Sequence, residues 1–182
     1  GGTLRYMLAM QPMGYLHQES ARCYAASMVL VLEHLAALKI IHRDITPRNV
    51  GLDSRGYIIL MGFQSSKAVE NRTFTLCGTP AFMSPEMILF RGYGTSTDVW
   101  SLGVLTYELL FGTNPFANPS DYITCRNIVK GEAHRMKNCM SSNASRDFVY
   151  NLLKARPYCR LGCRANGPTG MREHSWFTGL SW

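Results

Sequence analysis

His42-Arg43-Asp44-Ile45-Thr46-Pro47-Arg48-Asn49 is the stretch on which the reading of this chain turns. Two apolar residues, Ile40 and Ile41, lead into it, and Pro47 forbids simple helix continuation, so it reads as a polar loop. Within it stand a carboxylate, Asp44, and a carboxamide, Asn49. Phosphoryl transfer asks few parts of a protein: a carboxylate to accept the attacking hydroxyl's proton, oxygen ligands for metal, and positive charge on the phosphates. The loop offers the first two. Alone, the triplet His42-Arg43-Asp44 has low specificity, and its meaning depends on its neighbours.

Upstream, residues 19–39 carry Tyr24, Met28, Val31, Leu32 and Leu35 at helical spacing without Pro or Gly, which predicts one long buried helix. Downstream, Val50 to Leu52 and Tyr57 to Met61 are apolar runs parted by Asp53-Ser54-Arg55-Gly56, which predicts a small hairpin. Residues 62–85 are rich in Ser, Thr, Gly and Pro and read as a long loop of the kind that is functional or disordered. Ser84-Pro85-Glu86 opens a short helix with Pro in its first turn. Another starts at Thr97-Asp98 and runs through Trp100, Leu102, Val104, Leu105, Leu109 and Leu110 to a stop at Gly112. Helices are also predicted over 120–130 and 145–155. The fold class is mainly α: a helical bundle with a small β-hairpin and one long polar loop.

Composition narrows the function. Hydrophobic residues make up 46% of the 182, enough for a real core, which excludes wholesale disorder. Charged residues are only 17%, against roughly 25% in typical soluble domains, so part of the surface is expected to be covered by something else. The net charge of +7 permits binding to phosphate, nucleic acid or anionic lipid. No basic run or aromatic platform supports a nucleic-acid partner, and none is expected. Cys23, Cys77, Cys125, Cys139, Cys159 and Cys163 are scattered, with no second pair to complete a zinc site beside Cys159 and Cys163. Reduced thiols in a cytoplasmic protein are the expectation. Glu33, His34 and Lys39 interrupt the most apolar stretch, so no membrane span is predicted. The opening Gly1-Gly2-Thr3 lacks Met, which points to a piece of something longer.

The loop at 42–49 resembles the catalytic loop of the eukaryotic protein kinases, H-R-D-L-x-x-x-N. Thr73-Phe74-Thr75-Leu76-Cys77-Gly78-Thr79-Pro80, followed by Ser84-Pro85-Glu86, looks like the activation segment of the AGC group, closest to the cyclic-nucleotide-dependent (cGMP- and cAMP-dependent) Ser/Thr kinases. Thr95 to Gly103 is similar to that family's central helix, Arg160-Leu161-Gly162 to its late arginine, and His174-Ser175-Trp176-Phe177 to its ending. The resemblance covers nearly the whole chain in order. It implies one unit, residues 1–182, equivalent to the helical C-terminal lobe, with catalytic loop 42–49 and activation segment 62–86. The N-terminal lobe, with its glycine-rich loop, V-A-I-K lysine and helix-C glutamate, is expected outside these residues, and so is any upstream regulatory domain.

Residue by residue, the resemblance implies that Asp44 is the catalytic base and Asn49 a ligand to magnesium and so part of the ATP site. Arg43 would meet a regulatory phosphate on Thr75 through charge-assisted hydrogen bonds. Thr79 would brace Asp44, Glu108 would read a protein substrate, Glu86 would pair with Arg160, and Asp98 would hold the loop backbone.

The departures are as informative. Gly62-Phe63-Gln64 stands where the metal-binding D-F-G triplet belongs, and Gly62 has no oxygen to give magnesium. Thr46 replaces the catalytic-loop lysine. Gly51 replaces a large apolar residue under the adenine, a loss expected to leave a cavity unless something refills it. Thr3, Arg48 and Ala81 stand at three positions where the cyclic-nucleotide-dependent pattern carries glutamates, so a preference for basic peptides does not follow. Meanwhile His42, Phe63, Glu86, Asp98, Gly103 and Arg160, the parts that hold the lobe together, are present. The expected function is a Ser/Thr kinase domain of AGC type with impaired transfer; the alternative is a pseudokinase, a non-catalytic scaffold or regulatory module.

Overall fold

The computed structural model describes residues 2–134, 141–164 and 167–182, so Cys139 lies outside the described residues. At its centre is helix α4, Ser96–Phe111, buried on all sides from Thr97 onward. A helix apolar around its whole circumference belongs inside a core rather than on a surface. Helix α2, Gln18–Ala37, packs against it and buries Ala25, Met28, Val29, Leu32 and Leu35. Of the stripe read from the sequence, Met28, Leu32 and Leu35 are buried while Tyr24 and Val31 are half-buried at its edge. Its N-cap is His17, whose Nδ1 accepts the Glu19 N–H at 3.4 Å.

Helix α6, Asn143–Leu152, packs directly on α4, while α5, Asp121–Lys130, packs on the turn at 80–82 near the end of the long loop. Gly103 is what lets α4 and α6 touch: a Cβ there would sit 2.8 Å from Leu153 Cδ2 and 2.9 Å from Leu152 Cβ. Phe148, Trp176 and Phe177 close that end with rings 4.9 to 5.3 Å apart. The predicted helices therefore stand, with ends shifted by a few residues. The helix expected over 145–155 begins earlier, where Ser142 Oγ accepts the Ser145 N–H at 3.1 Å, and ends at Leu152 because the Lys154 and Ala155 carbonyls bind Arg160 instead.

Two antiparallel pairs complete the fold. β2 (Val50–Leu52) and β3 (Ile58–Leu60) form the predicted hairpin, Val50 opposite Leu60 and Leu52 opposite Ile58. Asp53 Oδ1 ties its turn by accepting the N–H groups of Arg55 and Tyr57 at 2.8 and 2.9 Å. β1 (Ile40–Ile41) pairs with β4 (Lys67–Ala68) and pins the start of the long loop beside the end of α2. A seven-residue helix not foreseen in the sequence, α1 (Leu4–Met10), opens the chain, capped by Thr3 Oγ1 accepting the Tyr6 N–H. Its Arg5 N–H donates to Pro47 O at 2.9 Å and so binds α1 to the 42–49 loop. Short helix α3, Pro85–Ile88, ends the long loop as expected.

The long loop is anchored at its far end by a buried ion pair. Arg160 Nη1 and Nη2 donate to Glu86 Oε1 and Oε2, each at 2.6 Å, and the guanidinium also donates to the carbonyls of Lys154, Ser96 and Ala155. Arg160 is fully buried and lies 5.1 Å from the Trp100 ring. Such a pair is stable only because nearly every donor is satisfied.

Candidate active site

The 42–49 loop is set by α4. Asp98, buried in the first turn of that helix, accepts the backbone N–H of His42 on Oδ2 at 2.7 Å and that of Arg43 on Oδ1 at 2.9 Å. Burial pushes the Asp98 carboxyl up to about 6, with the two N–H donors and Arg43 opposing it. Arg43 is held at φ 70°, a left-handed conformation costly for a residue with a side chain. The fully buried His42 ring donates from Nε2 to Met61 O at 2.8 Å and accepts the Asp44 N–H on Nδ1 at 3.3 Å. Burial lowers its pKa, and both neighbours fit the neutral ring. Phe63 stacks edge-on against His42 at 4.8 Å with its outer side in solvent.

Asp44 sits at the centre of a tight network. Thr79 donates to Asp44 Oδ1 through its backbone N–H at 3.0 Å and its hydroxyl at 2.7 Å. Asn49 Nδ2 donates to Asp44 Oδ2 at 2.7 Å and to the Asp44 carbonyl at 2.8 Å. The two loops meet this closely because of Gly78, at φ 91°, where a Cβ would come within 2.3 Å of Arg43 O. Structure thus brings together Asp44, Asn49 and Thr79, three residues singled out in the sequence.

Arg43 and Thr75 lie on either side of a residue that sequence reasoning missed. Tyr93 Oη donates to the Thr75 carbonyl, and Arg43 Nη1 donates to Tyr93 Oη at 3.3 Å. Thr75 itself is exposed. Lys67, also missed, donates to Thr73 Oγ1 at 3.1 Å and adds a second cation to this region. Glu108 is buried and has a partner within the chain, Arg5, whose Nη1 lies 3.5 Å from Glu108 Oε1. Burial pushes the Glu108 carboxyl up, while Arg5 and Asn114 oppose the shift.

The nucleotide side differs from expectation in one respect. The space left by Gly51 is not a void: a Cβ there would meet Met61 Cε at 3.0 Å and Sδ at 3.3 Å. The flexible Met61 side chain fills it. Gly51 and Met61 exchange a small and a large residue across β2 and the end of β3, and neither position alone reveals the exchange.

Residues 1–177 match the family pattern described as the protein kinase domain. The chain belongs to the protein kinase family. It is 35% identical over 176 residues to the "cGMP-dependent protein kinase" of Plasmodium berghei, which covers 96% of this chain and 20% of that protein. It is 36% identical over 167 residues to the "cAMP-dependent protein kinase catalytic subunit 2" of Drosophila melanogaster, 91% of this chain and 47% of that one. Against a Drosophila "cGMP-dependent protein kinase, isozyme 2 forms cD5/T2" the figure is 37% over 185 residues, 100% of this chain and 20% of the relative. The chain therefore spans less than half the length of these relatives, and the mainly α kinase-like fold is that of the family. No helix among the described residues is long and apolar enough to cross a membrane.

Protein kinases use ATP with magnesium, so the fit of the metal can be tested on the residues present. Magnesium demands a near-octahedral set of oxygens. Asn49, the ligand that the resemblance implies, uses its Nδ2 on Asp44 and keeps its side-chain oxygen, whereas Gly62 offers no side chain. A Cβ at Gly62, φ 81°, would fall 2.6 Å from Asn49 Cγ and 2.7 Å from its Oδ1, so Asn49 fills the place from which a carboxylate would reach. Among the described residues no group of three or more His, Cys, Asp or Glu side chains could hold a metal ion. Of the two side-chain ligands that the resemblance implies, Asn49 is present and the carboxylate at position 62 is not.

Proposed function

We propose that this chain is an AGC-type Ser/Thr kinase domain whose phosphoryl transfer is lost or much reduced and which acts as a binding module, a pseudokinase. One observation carries the reading: Gly62 packs on Asn49 where the metal-binding carboxylate of a working site belongs. Charge neutralisation at the transferring phosphate is the largest contribution a kinase site makes, and without a carboxylate at 62 and a lysine at 46 it has no source in these residues. What this chain's own residues still do is hold Asp44 in place, and the loop that carries it, ready to face a protein segment.

That same network favours a second reading, a slow but active protein Ser/Thr kinase. Asp44 is oriented by Thr79 and Asn49 as a base accepting a hydroxyl proton must be. A phosphate-transfer assay on the purified protein with ATP and magnesium separates the two. Equal incorporation by the wild type and Asp44→Asn supports the pseudokinase; incorporation abolished only in Asp44→Asn establishes the kinase.

Thr75 is the regulatory site of either reading. Tyr93 links the Thr75 carbonyl to the Arg43 guanidinium, which supports the pairing, since a dianion opposite a guanidinium orders a loop. Phosphorylated Thr75 is expected to protect residues 64–80 from protease; unchanged cleavage contradicts the assignment. Cysteines left as free thiols among the described residues support a cytoplasmic setting.

A further inference from the structure

Beside Asp44 the 42–49 loop, α1, α4 and the end of the long loop enclose a cleft of about 450 Å³. Its charged lining is unbalanced: Arg5 and Arg48 face one carboxylate, Glu108. That carboxylate is already taken, by Arg5 at 3.5 Å. Arg5 is fixed in its place because its own N–H donates to Pro47 O, one residue before Arg48. Arg48 is exposed and has no acidic partner among the described residues. Phe82 and Pro47 supply an apolar wall, and Thr79, which also lines the cleft, holds Asp44 at 2.7 Å.

Such a cleft repels what a carboxylate-lined one would attract. An incoming arginine side chain would have to displace Arg5 from Glu108 and lie against Arg48. An incoming carboxylate or phosphate meets guanidinium groups whose planar donors match its oxygens. We propose that this cleft receives an anionic side chain, a carboxylate or a phosphate, from a protein segment laid across the 42–49 loop. The inference rests on the reading of that loop as a face for protein segments, and it names the chemistry of the segment. Arg5 acts as an internal stand-in for a basic ligand, and Arg48 makes the exclusion of basic segments active rather than passive.

The test is peptide binding by fluorescence anisotropy, with no nucleotide present. Four peptides share one sequence around a serine and differ only in a flanking residue: Glu, phosphoserine, Ala or Arg. The Glu peptide, the phosphoserine peptide or both are expected to bind at least about tenfold more tightly than the Arg peptide, the scale of one charge-assisted contact. Preference between the two anions tells a phosphorylated segment from an acidic one. Arg48→Glu, a change at an exposed position, is expected to invert the order, and Arg5→Ala to raise binding of the Arg peptide by freeing Glu108. An Arg peptide that binds as well as the anionic ones, an order unmoved by Arg48→Glu, or no binding by any of the four overturns the proposal. Loss of phosphoryl transfer is judged separately by the transfer assay, so the two can fail independently.

Discussion

Two regions joined by α4 have kept different things. At one end, Glu86 and Arg160 form a bidentate pair with both oxygens at 2.6 Å, backed by three carbonyls and the Trp100 ring. At the other, Gly62 lies close against Asn49 and the Met61 side chain lies against Gly51. In the first region the Arg160 guanidinium and the Glu86 carboxylate are fully paired, although the buried Trp100 indole N–H beside them has no acceptor among the described residues. The second keeps Asp44 and Asn49 but has Gly62 and Thr46 where the resemblance places a carboxylate and a lysine. Fold and reaction are therefore held by separate sets of residues, and one set can be altered without loosening the other.

The largest way to break that comparison is at the anchor. Arg160→Ala leaves Glu86 buried and unpaired, and is expected to lower stability by about 3–5 kcal/mol. Arg160→Lys should recover only part of it, because an ammonium cannot make the fork. Chemical denaturation of both variants checks this, and unchanged midpoints mean the lobe is held together differently. Gly103→Val drives a side chain into Leu152 and Leu153 and is expected to cost about 1–3 kcal/mol, read as a fall in melting temperature.

Changes at the chemical end should be smaller and should not restore function. Gly62→Asp places a side chain at φ 81° against Asn49, with an expected loss of about 1–2 kcal/mol. It should bring no magnesium-dependent gain in ATP binding, because the added side chain collides with Asn49, the other expected ligand; such a gain in this variant contradicts the expectation. The smallest effect is a pH trend. His42 has a lowered pKa in the fold, so its contribution is complete above the unfolded value of 6.5 and is lost as pH falls through the folded one. Asp98, raised to about 6, runs the other way, favouring the fold at low pH, but it is common to wild type and variant. The stability advantage of wild type over His42→Leu is therefore expected to shrink below pH 6.5; a constant gap contradicts a neutral buried ring.

Much of this was legible before any coordinates. α2 and α4 follow from apolar spacing, the hairpin from Asp53-Ser54-Arg55-Gly56, and the Asp44 network from the resemblance of two loops to the kinase catalytic loop and activation segment. What escaped has a common cause. α1 has only seven residues, too few for a period to declare itself, and β1 with β4 is a pairing of two-residue strands far apart in sequence. Met61 over Gly51, Tyr93 between Arg43 and Thr75, and Arg5 on Glu108 are tertiary contacts between residues that look ordinary where they stand. Sequence told which residues had been lost; only packing told what had moved into their places.

The central claim, that packing survives where chemistry does not, is tested most directly by thermal melting of the purified protein with saturating ATP, with and without magnesium. A ligand at a hundred times its dissociation constant adds about 2.7 kcal/mol, a shift of several degrees. A cooperative melt whose midpoint does not depend on magnesium is the expected result. A midpoint raised by several degrees only when magnesium is present would contradict it, because a working metal site would then exist despite Gly62.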